Sequence, residues 1–201
     1  MSKEPLNKLC LSCLAGLLIF PGTAVMAEIT VEVGKNTGLK TWKWTHEGVS
    51  LRLVQRLPDQ TRAYVMAKGF PRDAADELAT SCFFGSMFRN DGNLPLDFDL
   101  RQWKVVHNGR ETGMKVRELW KQKFRERKDI PAPARIGLNW SLMPTVQHFE
   151  PGDYNWGMTV YGLPPGETFD LHLKVMLDGK PLETVIPGLQ CAPEVVEKPA
   201  S

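Results

Sequence analysis

Phe169, Leu171, Leu173, Val175 and Leu177 occupy alternate positions, with Asp170, His172 and Lys174 among the residues between them. Strict alternation of this kind fits a strand with one buried and one wet face. Asp178-Gly179 follows at once, the dipeptide favoured in a two-residue hairpin turn, and Leu182 to Ile186 reads as the return strand. Just upstream, Tyr154, Trp156, Met158 and Val160 fall on one face of another strand and are expected in the core, with Pro164-Pro165-Gly166 turning the chain between the two. A chain carrying this segment must build an antiparallel meander.

The rest of the sequence supplies more strands and two helical interruptions. Glu28 to Val33 reads as an edge strand, and Val49, Leu51 and Leu53 alternate with polar residues in a second. Asp59 to Thr80 reads as a helical hairpin, with Pro58-Asp59 as a start, Gly69 as a stop and Pro71 opening the second helix. From Cys82, the residues Phe83, Phe84, Met87 and Phe88 put apolar groups on both faces, as a central strand does. Leu94 to Leu100 alternates, Trp103 to His107 follows, and Asn108-Gly109 marks a hairpin. Seven to nine strands with regular turns predict a mainly β fold: an immunoglobulin-like antiparallel β-sandwich with a helical hairpin insert and one further basic helix. Tyr154, following Pro151-Gly152-Asp153, stands where such sandwiches carry a tyrosine corner.

The first residues set the compartment. Lys3 and Lys8 precede an apolar run from Leu9 to Phe20, Pro21-Gly22 break it, and Val25 and Ala27 suit signal-peptidase cleavage. Residues 1–27 therefore read as a cleaved signal peptide, with the mature chain starting at Glu28 and lying in the periplasm or outside the cell. A membrane anchor is the competing reading, but the run reaches only about 18 Å against a hydrocarbon core of roughly 30 Å. Cys10 and Cys13 lie inside the run, which argues against both a lipoprotein signal and a redox motif. The remaining chain forms one domain over 28–192, with no transmembrane segment, and 193–201 reads as a disordered tail. Lys3, Lys8 and Glu4 leave with the leader, so 25 basic and 23 acidic residues become 23 and 22. That balance argues against nucleic acid as a partner.

Two cysteines remain, Cys82 and Cys191, 109 positions apart. In an oxidising compartment such a pair predicts a disulfide. Two free thiols on a soft metal are the alternative, and no third ligand lies near either in sequence.

No catalytic constellation stands out. Gly85-Ser86-Met87 sits inside a strand and lacks the second glycine of a nucleophile elbow. Asp97 and Asp99 fall on a wet strand face, and His172 lies between Asp170 and Lys174 on another. Met143, His148 and Met158 flank the Glu150-Pro151-Gly152 turn and form the weak alternative, a copper site in a periplasmic metal carrier. The spacing of Met158 with Tyr154 and Trp156 is that of core residues, so no metal site and no cofactor are expected. An unrecognised hydrolase is the second alternative.

Lys115 to Lys128 is the strongest local anomaly, with seven basic residues against two acidic ones. At helical spacing Val116, Leu119, Trp120 and Phe124 form an apolar stripe, and Arg117, Lys121, Arg125 and Lys128 fall on another flank. Pro131 and Pro133 are expected to end this helix. The functional expectation is a non-enzymatic accessory protein that works by binding. Those four cations dock another envelope protein or an anionic surface. The bland reading is a solvated connecting helix.

Overall fold

The computed structural model describes residues 27–195. In chain order the elements are β1 (Glu28–Val33), β2 (Lys40–His46), β3 (Val49–Gln55), α1 (Pro58–Ala67), α2 (Arg72–Ala79), β4 (Phe83–Asn90), β5 (Leu96–Asp99), β6 (Lys104–His107), β7 (Arg110–Gly113), α3 (Arg117–Lys123), α4 (Ala132–Ser141), β8 (Val146–Phe149), β9 (Tyr154–Val160), β10 (Thr168–Leu177) and β11 (Lys180–Gln190). The described residues are mainly β, with two antiparallel sheets and four helices. Among them eleven strands form where seven to nine were expected. The additional pieces are short, such as β7 and β8, and carry too few residues to show a period. The expected signal sequence, apart from Ala27, lies outside the described residues, as does most of the expected tail.

Sheet A runs β1-β2-β3-β4-β9. In sheet B, β10 pairs with β11 along one side, while β6 and β5 share its other side, opposite Asp170–His172 and Val175–Leu177 respectively. β7 and β8 then extend the sheet from β6 and β5. Three hairpins turn on residue pairs with both φ angles positive: Glu47-Gly48, Asn108-Gly109 and Asp178-Gly179. Such turns match the right-handed twist of the flanking strands.

The alternating residues of β10, Phe169 to Leu177, are buried, while His172 is exposed, as the period-2 pattern requires. They face sheet A across an aromatic core in which the Phe88 ring lies 5.0 Å from Phe98 and 5.8 Å from Trp103. Cys82 and Cys191 are bonded, with Cα atoms 5.2 Å apart, and tie the start of β4 to the end of β11. The disulfide therefore clamps one sheet to the other. In a chain-entropy account, closing a loop of this length contributes up to about 4.7 kcal/mol.

β4 is central, between β3 and β9, and its two faces enter different cores: Phe84 meets sheet B, whereas Phe83 meets the helices. The helices cover one end of the outer face of sheet A. There Met158 and Val160 join Leu78, Trp120, Phe124 and Leu138 in a second core. No described helix is long and apolar enough to cross a membrane.

Two expectations for β9 are corrected here. Tyr154, Trp156, Met158 and Val160 do share one face, but it is the outer face, and the helices reach only its last two residues. Trp156 is 72% exposed and Tyr154 56%. Tyr154 is not a buried corner; Arg89 lies 5.4 Å from its ring centroid.

A third correction concerns the basic segment. Its helix spans Arg117–Lys123 rather than 115–128. Lys115 lies before the helix, its N–H donating to the Val160 carbonyl at 2.9 Å. Past Phe124 the helix stops because the Arg135 guanidinium donates to the carbonyls of Phe124, Arg125 and Arg127, at 3.4, 3.5 and 3.0 Å. A cation at this helix end also meets the negative end of the helix dipole. Leu119 is 47% exposed and drops out of the expected stripe; Trp120 and Phe124 are buried.

Candidate binding surface around helix α4

Pro131 and Pro133 do not lead straight back to a strand. They open α4, where the first turn tolerates the missing N–H. Along α4, Ala134 and Leu138, with Leu142 just beyond, fall four residues apart and are buried. A second apolar pair at the same spacing, Ile136 and Trp140, points away, and Trp140 is 81% exposed. A helix with two apolar stripes, one of them uncovered, is the feature that singles out this region.

On one side of α4 a groove of about 350 Å³ separates it from α3. Trp120, Phe124 and Leu138 make its floor, and Arg117, Lys121, Arg125 and Arg135 its rim. The Trp120 and Phe124 rings stack, 5.9 Å apart at 19°. Among the described residues no carboxylate lines the groove.

The cations of the segment divide by partner. Lys123 pairs with Glu77 and Arg127 with Asp73, so these two tie the segment to α2. Arg127 also pairs with Asp129 at 2.6 Å, and that bond raises the guanidinium pKa above its ordinary value. Arg117 meets Glu118 at 3.3 Å. Burial pushes the Glu118 carboxyl up, but hydrogen bonds from Thr145 and Arg117 outweigh it and leave it below its usual value. Lys121 and Arg125 are exposed and pair with no carboxylate among the described residues. Of the four residues expected to dock a partner, Arg117, Lys121 and Arg125 thus share one rim, while Lys128 sits exposed in the following turn, outside the groove.

On the other side of α4 a pocket of about 700 Å³ lies between α1, α4 and the outer face of sheet A. Arg52, Arg56, Lys68, Tyr64, Trp156 and Trp140 are among its lining residues, and again no carboxylate among the described residues is. Arg56 and Lys68 both sit over the Tyr64 ring, 5.2 and 4.7 Å from its centroid. Burial lowers the Arg56 guanidinium pKa from its ordinary value, and its Nε–H has no hydrogen-bond partner.

The other candidate chemistry is dispersed. Met143 packs in the core between the sheets and Met158 in the core under the helices, while His148 is exposed on β8. The Met143 N–H donates to the Met158 carbonyl at 2.9 Å, but the two side chains enter different cores and His148 joins neither. His148 instead lies 2.8 Å from Asp97 and 3.3 Å from Glu150. Asp99 is turned to Arg101, 2.7 Å away, so the two aspartates have different partners. Ser86 is buried and shares a 2.6 Å hydrogen bond with Thr159, with no histidine beside it. Among the described residues no group of three or more His, Cys, Asp or Glu side chains is arranged for a metal ion.

The sequence reading missed Arg135 as a residue of the groove, Arg56, Lys68 and Trp156 as residues of the far pocket, and Trp140, which lines both. The available signal was the pair of prolines, which at the first turn mark a helix start. No protein-family model matches the chain, and no curated protein matches it.

Proposed function

We propose that this protein is a non-enzymatic exported binding protein of the periplasm or extracellular space, and that it docks an acidic partner protein through the α3–α4 groove. In this reading residues 1–27 are a cleaved signal, and the two-sheet scaffold is immunoglobulin-like. The observation that carries the proposal is the lining of the groove: four cations around an aromatic floor, with no carboxylate among them. Cations at a rim steer an acidic surface into place, and a desolvated aromatic floor supplies the affinity. Arg135 has a different task, because its bonds to three carbonyls fix the angle between α3 and α4.

Lys121→Glu combined with Arg125→Glu tests the reading. Exposed charges act over about 8 Å at physiological salt and only about 3 Å at 1 M. Capture of the partner from an extract of the native compartment is expected to weaken steeply with salt and to be lost in the double variant. The same proteins captured equally well by the wild-type and the double variant would contradict it.

A further inference from the structure

The pocket on the far side of α4 differs from the groove in what it offers a ligand. Register places Arg52, Met87 and Trp156 side by side across β3, β4 and β9, and Val54, Gly85 and Met158 in the next row. A Cβ at Gly85 would meet only the Val54 carbonyl oxygen, at 4.0 Å, so the space above it is open. Its φ is not positive, so no turn geometry requires a glycine there. A glycine inside a strand gives up packing, and one reason to keep it is close approach of another molecule. Trp156 stands beside this opening with its indole largely bare.

The polar groups are also particular. Ser141 donates its hydroxyl hydrogen to the Gly137 carbonyl at 2.6 Å. In its contact with Tyr64 the phenol must therefore be the donor, and the phenolic oxygen keeps lone pairs for an incoming hydroxyl. Arg52, Arg56 and Lys68 are paired with no carboxylate among the described residues. A partly desolvated guanidinium without a counter-charge gains from a charge-assisted bond to an anion.

We propose that this pocket binds an acidic carbohydrate, with a sugar ring stacked on Trp156 and its carboxylate held by Arg56 and Lys68. A sugar acid presents an apolar C–H face, hydroxyl groups and a carboxylate on one ring, which matches an indole, a phenol–serine pair and two cations. An aromatic anion would leave the hydroxyls unused, and a lipid chain would meet charge where it needs an apolar wall. The volume lies within the roughly 300–1,000 Å³ of ligand pockets. The site meets the α3–α4 groove at Trp140 but uses none of the groove's cations, and stands or falls without it.

Isothermal titration with a glucuronate-containing hyaluronan tetrasaccharide tests this, with cellotetraose, benzoate and inorganic phosphate as comparison ligands. The expected result is saturable binding of the acidic tetrasaccharide, at least about tenfold tighter than each of the other three. Trp156→Ala and Lys68→Met should each weaken it by about tenfold or more. Gly85→Leu should abolish it by filling the pocket, with the thermal unfolding midpoint held or raised. Lys121→Glu with Arg125→Glu should leave it within about twofold, which separates this site from the groove. The proposal is overturned if the acidic tetrasaccharide does not bind, if any comparison ligand binds as tightly, or if a folded Gly85→Leu variant keeps the affinity.

Discussion

Strand β9 carries one alternating pattern along its length, and its two ends have opposite surroundings. Met158 and Val160 are buried under α3 and α4, whereas Tyr154 and Trp156, on the same face, are in solvent. Periodicity reports which residues share a face. It does not report how far a neighbouring layer extends over that face. The covered end is stabilising structure; the bare end, beside unpaired cations, is available for recognition.

The largest expected effect sharpens this contrast. Phe83→Ala, at the covered end, should destabilise the protein by about 3–5 kcal/mol, as for other buried phenylalanines. Trp156→Ala should cost less than about 0.5 kcal/mol, as at an exposed position. Chemical denaturation of the two variants measures both, and equal losses would break the comparison. Next in size, replacing Cys82 and Cys191 by alanine should cost about 2–5 kcal/mol, because the bond clamps the covered end of sheet A to sheet B. A calorimetric midpoint unchanged by the double replacement would mean that the sheets hold without it.

Much of the architecture was legible. The alternation of Phe169 to Leu177, the Asn108-Gly109 and Asp178-Gly179 turns and the helical hairpin follow from local chemistry written in consecutive residues, whereas the Cys82–Cys191 pairing, 109 positions apart, was legible from the count of cysteines after residue 27. The candidate site was legible only in part. Arg117, Lys121 and Arg125 stood out as a charge run, but their division from Lys123 and Arg127 depends on Glu77 and Asp73, carboxylates on another helix. The far pocket is assembled from five elements, β3, α1, β4, α4 and β9, so no sequence window contains it. The basic helix was drawn too long because the side chain that ends it, Arg135, lies in the next helix.

Smaller effects complete the comparison. Lys121→Glu with Arg125→Glu should change stability by less than about 0.5 kcal/mol, since both side chains are exposed. A large loss in denaturation would make the rim structural. Away from the helices, the bond to Asp97, helped by Glu150, raises the His148 pKa above its ordinary 6.5. Its contribution to stability is therefore present below about pH 6.5 and fades as pH rises through the folded-state value. In an NMR titration the His148 midpoint should fall in Asp97→Asn; an unmoved midpoint would remove Asp97 as the cause.

Site-specific photo-crosslinking in the native compartment tests the docking surface most directly. A benzophenone side chain placed at Ile136, on the uncovered stripe of α4 beside the groove, should yield a discrete protein adduct. The adduct should disappear when Lys121→Glu and Arg125→Glu are added. The same probe at Val185, exposed on β11 of the opposite sheet, should yield none. Adducts from Val185 with none from Ile136, or an Ile136 adduct indifferent to the charge reversal, would contradict a docking site at α3–α4.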